Sequence, residues 1–342
     1  MSAVAPDSKL ASAELPKVVS LFSGAGGLDS GFHREGFRIP LAIDASTAAV
    51  RTYNRNFKAA SGVVGDLTQL GPEGVLALAR EQIPEGVPIG VIGGPPCQGF
   101  SRANTSAHSD DPRNELPLLY LDIIRRLKQH YTVEFVVFEN VLGIRDKKHA
   151  PTFDALINGL NSLDLSVTEK ELCALDFGVP QKRRRIVLSA LRVRQGYGSF
   201  RLRKRRGPAT VRAAIGGLAA PVFFGLGLAP SDFPVHPNHW TMRPKSPRFR
   251  YGRAKRTDGR SFKRLSWQEP SPTVAFGHRE IHVHPSGTRR LSIYEAMLLQ
   301  GFPRSFVLEG NLSEQVEQVS NAVPPPLARK IAAAVRRALT GE

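Results

Sequence analysis

The stretch "KVVSLFSGAGGLDSGF", Lys17–Phe32, decides the fold class. An apolar run breaks off in a glycine-rich turn, Gly24–Gly27, and Leu28–Glu35 can follow as a short helix that Gly36 stops. Strand, tight turn and helix make the opening unit of a parallel α/β layer. The unit recurs down the chain. "FRIPLAID" reads as a second strand, and Val50, Tyr53 and Phe57 in "STAAVRTYNRNF" fall at helical spacing. "VPIGVIGG" is a third strand, "LPLLYLDIIRRLKQH" a helix, "VEFVVFEN" a fourth strand and "PTFDALINGLNSL" a helix. "LSVTEKELCAL" and "RIVLSAL" close the series as strands. Such alternation predicts an α/β fold, a mostly parallel sheet with helices on both faces.

The pattern breaks near Val193. From there to about Pro285 the chain is rich in Arg, Pro, Gly and His with little periodicity. Helical spacing returns in "SIYEAMLLQGF" and "PPLARKIAAAVRRAL", the latter with Leu327, Ile331, Ala334 and Val335 on one face. The expected organisation is a flexible leader over 1–16 and an α/β domain over 17–190. A smaller irregular domain over 191–288 follows, and a hinge with C-terminal helices over 289–342 returns to the first domain.

Charge marks the irregular segment. The net charge is +17, and Leu191–Arg264 holds 18 Lys and Arg against only Asp232 and Asp258. The rest of the chain is balanced. Aromatic residues (Phe233, Trp240, Phe249, Tyr251, Phe262 and Trp267) are interleaved with the cations, which favours a folded polyanion-binding module over a solvated tail. Nucleic acid is the first candidate partner. No apolar run approaches the roughly 18 residues of a membrane span. The N-terminal "MSAVAPDSKLASAELPK" has no apolar core of a secretory signal. Two cysteines make no disulfide framework, so a reducing, cytoplasmic setting is expected, with no membrane and no metal.

The candidate chemistry gathers at the carboxyl ends of the strands, where such sheets bind ligands. Glycines after the first strand let backbone approach a ligand. Asp44, 20 residues after Gly24 and at the end of the second strand, suits ribose hydroxyls. A dinucleotide fingerprint needs Gly where Asp29 stands, so the pattern suits a nucleoside cofactor without a pyrophosphate. Asp66 in "VVGDL" can reach an adenine amino group. Cys97 lies in "GGPPCQGFS", a stiff loop after the third strand rather than a core element, and is a candidate nucleophile. Cys173, in a strand pattern, reads as structural. Glu139 ends an apolar strand, where an acid needs a task or a partner. In "QKRRRI", alternation sends Arg183 and Arg185 to one face and Arg184 to the other.

In order and spacing, "FSGAGG", "GGPPCQGFS", "FENV", "QKRRRI", "RRLSIYEAMLLQGFP" and "SNAVPPPLARKIA" resemble the ordered motifs of the DNA cytosine-5 methyltransferases, from about Val18 to Ala333. The basic gap lies where that family keeps its target-recognition domain. The resemblance implies a Rossmann-like S-adenosylmethionine-dependent fold. It implies that Phe22, Gly24, Gly26 and Gly27 line the cofactor pocket, that Asp44 takes the ribose and Asp66 the adenine, and that Leu116 contacts the methionine part. Asn321 and Val323 would close the pocket, Cys97 would be the nucleophile, Glu139 would hold the cytosine, and Arg183 and Arg185 would assist. The family often has an aromatic after the ribose acid. Ala45 stands there, so adenine stacking must come from elsewhere, Phe22 being one source, or be weaker.

The implied reaction is methylation of carbon 5 of a flipped cytosine in double-stranded DNA, leaving S-adenosylhomocysteine. A monomer is expected, of bacterial restriction-modification type, with a restriction endonuclease as a partner acting on the same site without contact. A tRNA cytosine-5 methyltransferase is the nearest rival, but residues 191–288 lack the cysteine of its usual Cys-Phe-Thr signature. A catalytically inactive DNA-binding relative is opposed by the presence of both Cys97 and Glu139. A dehydrogenase is opposed by Asp29 and the basic segment.

Overall fold

The computed structural model describes residues 14–58, 61–96, 100, 112–193, 198–204, 209–225, 228, 232–233, 235–249, 263–273 and 282–341. Five strands run parallel: β1 (Lys17–Leu21), β2 (Leu41–Asp44), β3 (Ser61–Val64), β4 (Pro88–Gly93) and β5 (Thr132–Asn140). β6 (Leu165–Cys173) follows, then the two-residue β7 (Gln181–Lys182) and β8 (Arg184–Arg192). β8 inserts between β5 and β6, antiparallel to both, giving the order β3-β2-β1-β4-β5-β8-β6. The direction of chain progression reverses at β1, and the carboxyl ends of β1 and β4 flank the crevice that such a reversal opens.

Strand alternation sorts the core into two layers. Val19 and Leu21 of β1 and Val136 and Phe138 of β5 are buried on one face. They meet Leu76 of α3 (Leu67–Gln82), Tyr120 and Ile124 of α4 (Leu116–Lys128) and Leu156 of α5 (Ala150–Asn161). Val18, Ile92, Phe135 and Val137 face the other way, onto α1 (Gly27–Arg34) and the C-terminal helix. That last helix, α9 (Pro325–Thr340), has Leu327, Ile331, Ala334 and Val335 no more than 1% exposed. α1 and α9 pack closely because Gly31 has no side chain: a Cβ there would lie 2.2 Å from the Ala328 carbonyl carbon.

A third cluster joins the remaining parts. Val211 and Ile215 of α6 (Val211–Ile215), with Trp240 and Leu265, are buried against Met297 and Leu299 of α7 (Ile293–Gln300), Val316 of α8 (Leu312–Asn321) and Ala25. The described strands of the basic segment are two residues long. β9 (Val222–Phe223) pairs with β10 (Trp240–Thr241), β11 (Lys263–Arg264) with β13 (His282–Val283), and β12 (Ser271–Pro272) with β7. Such short pairs have no periodicity to read in a sequence.

Three local differences from the sequence reading have physical causes. "FRIPLAID" forms a strand only from Leu41, although Phe37 and Ile39 before it are buried. β3 is a four-residue edge strand whose "SGVV" is at best half-buried, so it lacks an apolar run. α3 holds Gly71 at φ 58° and Pro72, which split it by a kink and read as a breaker. Among the described residues no helix is long and apolar enough to cross a membrane.

Candidate active site

A cavity of about 460 Å³ opens at the carboxyl edge of the sheet, within the roughly 300–1,000 Å³ of cofactor-sized sites. The turn after β1 forms one wall. Gly24 sits at φ 53°, and its N–H donates to Asp44 Oδ2 at 2.8 Å. Ser46 N–H donates to the other oxygen, Oδ1, at 2.9 Å. Burial pushes the Asp44 carboxyl above its ordinary range, these two donors oppose that, and the nearby Glu317 charge adds to the rise. Asp44 is therefore held in one orientation by the turn it faces.

The glycines of the turn serve different neighbours. A Cβ on Gly24 would meet nothing within 4 Å, so this position borders open space. A Cβ on Gly26 would lie 2.3 Å from the Phe57 ring, and Gly26 is not among the cavity-lining residues. A Cβ on Gly27 would lie 2.5 Å from the Val323 carbonyl oxygen. Phe22 lines the cavity at φ 54°, a left-handed conformation that non-glycine residues rarely hold. Ala45 also lines it and is exposed.

Asp66, Leu116, Asn321 and Val323 all line the same cavity. Asp66 has a second task as the N-cap of α3, its Oδ1 accepting from Thr68 N–H at 2.9 Å and from Thr68 Oγ1 at 2.7 Å. Leu116 is the first residue of α4, while Asn321 ends α8 and Val323 follows it.

Glu139, Arg183 and Arg185 form the adjoining wall. Alternation at the start of β8 does sort the arginines: Arg183 and Arg185 are 1% and 9% exposed, while the Arg184 side chain is 68% exposed and pairs with Glu171. Arg185 Nε lies 2.8 Å from Glu139 Oε1, and its Nη1 donates to the Arg184 carbonyl at 2.7 Å. Arg183 Nη2 donates to the Ser320 carbonyl at 2.7 Å. Burial raises the Glu139 pKa above the ordinary glutamate value, and the Arg185 and Arg183 charges hold it back. A carboxyl so balanced can present either a charge or a proton to a ligand.

Cys97 lies outside the described residues. The chain leading to it is described as far as Pro96, and both Pro95 and Pro96 line the cavity. Asn140 Nδ2 donates to the Pro95 carbonyl at 3.2 Å, which ties this loop to the end of β5 beside Glu139.

Several residues that line the cavity have no place in the site read from sequence. Asp29 lines the cavity, is 1% exposed and accepts from Tyr53 Oη at 3.0 Å; burial lifts its pKa to about 6. The 24-residue gap between Asp29 and Tyr53 is bridged only by packing. Glu317 and Gln318 of α8 reach the cavity because α8 lies across it, and α8 itself starts with an Asn311–Glu314 capping box that a reader of "NLSEQ" could have found. Among the described residues no group of His, Cys, Asp and Glu could hold a metal ion.

The arrangement offers a ligand the Asp44 carboxyl beside the Gly24 turn and, on the adjoining wall, the Glu139 carboxyl flanked by two guanidinium groups. Comparison with known proteins places the chain among the following relatives. The Type II methyltransferase M.MthTI of Methanothermobacter thermautotrophicus is 30% identical over 346 residues, covering 95% of this chain and 98% of that protein. The Type II methyltransferase M1.HphI of Haemophilus parahaemolyticus is 32% identical, covering 95% and 87%. The fold is shared with a prophage-encoded E. coli protein assigned as a DNA modification methyltransferase, at TM-score 0.77 and 24% identity over 95% and 99% of the two chains. It is shared too with the S. pombe Dnmt2 methyltransferase, at TM-score 0.64 and 17% identity over 94% and 98%. The family model described as C-5 cytosine-specific DNA methylase matches residues 16–218 and 234–337, with its one gap inside the basic segment, and the chain belongs to that family.

Proposed function

We propose that this chain methylates carbon 5 of a cytosine in double-stranded DNA, taking the methyl group from S-adenosylmethionine through a covalent adduct with Cys97. The observation that carries the reading is the buried Glu139–Arg185 pair on the wall of the cofactor-sized cavity, next to the loop that leads into Cys97. Bound S-adenosylmethionine supplies an electrophilic methyl group. Asp44 is suited to its ribose, Asp66 to its adenine and Phe22 to stacking in place of the aromatic that Ala45 lacks. Leu116, Asn321 and Val323 would enclose the rest.

The chain's own residues perform the activation. The Cys97 thiolate adds to carbon 6 of the base, and Glu139 holds or protonates ring N3, so carbon 5 becomes enamine-like. Arg185 and Arg183 keep the Glu139 proton in balance and favour the thiolate. After transfer, carbon 5 gives up its proton and the thiolate is expelled. The base must leave the stack to enter, at a cost of a few kcal/mol. The segment 191–288, as a target-recognition domain beside the 17–190 catalytic domain and the 289–342 return, would repay this through phosphate contacts. The relatives being Type II methyltransferases, we place the chain as a cytoplasmic monomer in restriction-modification, with an endonuclease reading the same site.

The test is a denaturation-resistant complex with a duplex carrying 5-fluorocytosine, formed with S-adenosylmethionine present. The wild-type chain should form it and Cys97→Ser should not. A complex with tRNA but with no mixed-sequence duplex would overturn the DNA reading.

A further inference from the structure

Asn321 stands between two backbone carbonyls that are each gripped from outside its own segment. Arg183 Nη2 donates to the Ser320 carbonyl at 2.7 Å. Gln300 Nε2 donates to the Ala322 carbonyl at 2.7 Å. Gln300 Oε1 in turn accepts from Gln181 Nε2 at 2.7 Å, and that amide also reaches the Leu299 carbonyl at 3.4 Å. Gln181 and Gln300 are 0% exposed. So one short stretch, Gln181–Arg183, reaches both sides of Asn321: directly through Arg183 and by relay through Gln300. Across the segment, the Val323 carbonyl is seated where Gly27 lacks a side chain. Ser320, Asn321, Ala322 and Val323 all line the cavity that Glu139, Arg183 and Arg185 also line.

Buried side-chain amides are costly to leave unmatched, so a two-amide relay of this kind holds its ends in one register. We propose that Gln300 is a positioning residue: with Gln181 and Arg183 it sets the place of Asn321, and it thereby couples cofactor occupancy to the site of the flipped base. The inference rests on the functional reading above. Coupling of this kind is reciprocal, so each ligand tightens the other by the same factor.

The experiment uses the full chain and S-adenosylhomocysteine, titrated by calorimetry with and without a duplex containing the target site. Gln300→Met keeps the volume and removes both amide bonds. The expected result is a Kd for S-adenosylhomocysteine about tenfold weaker, some 1.4 kcal/mol, with the tightening by DNA lost and kcat at saturating cofactor changed less than threefold. Gln300→Asn, too short to span both partners, should move the same way. A folded variant with unchanged Kd and unchanged DNA coupling overturns the proposal, as does a lowered Tm with neither moved. Amide hydrogen exchange on the wild-type chain gives an answer even if the variants do not fold. Adding S-adenosylhomocysteine should slow exchange at Gln181–Arg183 as well as at Asn321–Val323, and an effect confined to the latter overturns the relay. A wild-type chain that binds no S-adenosylhomocysteine would refute the functional reading, not the relay.

Discussion

Arg185 Nε lies 2.8 Å from Glu139 Oε1, with the two side chains 10% and 8% exposed. Burial drives this carboxyl toward its neutral form, and the Arg185 charge, then that of Arg183, draws it back. Removing the nearer cation therefore lifts the Glu139 pKa further. Arg185→Met should cut kcat by about 100-fold or more, and leave the cofactor Kd within twofold. The limb of the pH–rate profile that Glu139 controls should move to higher pH, and Arg185→Lys should move it less. A limb that stays in place would show that Arg185 does not tune Glu139.

The glycines of α1 separate cofactor binding from packing. A Cβ at Gly27 would press on the Val323 carbonyl at 2.5 Å and on Ala322 Cβ at 3.0 Å, both in the cavity wall. A Cβ at Gly31 would press on Ala328 and Arg329 backbone, one turn further along α1 and away from the cavity. Both substitutions overpack, at a cost of about 1–3 kcal/mol. Gly27→Ala should also weaken S-adenosylhomocysteine binding about tenfold or more, because Val323 must shift. Gly31→Ala should lower Tm with little change in that Kd. Thermal unfolding and calorimetry on the two variants check the contrast, and equal effects on Kd would count against it.

The parallel sheet and the edge that lines the cavity are legible in the sequence because both follow from short-range pattern. Apolar runs ending in Gly24, Asp44, Gly94 and Glu139 place those residues at one edge of a parallel sheet, and the reversed direction of β8, inserted between β5 and β6, moves none of them. The arginine sorting at Arg183–Arg185 needed only a period of two. What stayed hidden depends on partners distant in sequence. Asp29 serves in the sequence only to exclude a dinucleotide, since its burial beside Tyr53 appears once α2 (Thr47–Asn56) packs on α1. Gln181 and Gln300 are 119 residues apart, and a glutamine in a helix reads as surface until both faces are covered. The glycines of the turn are expected to let backbone approach a ligand; Gly26 and Gly27 are in addition pressed upon by Phe57 and by Val323, which no local pattern reveals.

Asp29 makes stability depend on pH with a definite sign. Its pKa rises from 3.8 to about 6 on folding, chiefly by burial, with the nearby hydroxyls of Ser20 and Tyr53 opposing. An acid with a raised folded pKa favours folding in its neutral form. That contribution is complete below about pH 3.8 and is lost as pH rises through about 6. A shift of this size corresponds to about 3 kcal/mol, as an order of magnitude. Asp29→Asn keeps an acceptor for Tyr53 and has no charge to desolvate. Its stability relative to the wild type should therefore improve steadily as pH rises from about 4 to about 7. Urea unfolding at several pH values measures the difference, and two parallel pH curves would rule the effect out.

Asn140 joins the Glu139 wall to the chain that leads into Cys97, the proposed nucleophile. It is 1% exposed, its Nδ2 donates to the Pro95 carbonyl at 3.2 Å, and its Oδ1 accepts from Val141 N–H at 2.8 Å. Glu139 precedes it, and Pro95 is two residues before Cys97. Asn140→Leu removes the tie without touching Asp44 or Gly24. Misplacing a nucleophile by even about 1 Å can cost on the order of 100-fold in rate. The rate of adduct formation with 5-fluorocytosine duplex in a single turnover should therefore fall at least about tenfold, while the Kd for S-adenosylhomocysteine stays within twofold. Asn140→Asp should fare no better, because a carboxylate cannot donate to the Pro95 carbonyl and sets a second charge beside Glu139. If Asn140→Asp instead formed the adduct at the wild-type rate, the amide donor would have no part in holding the loop.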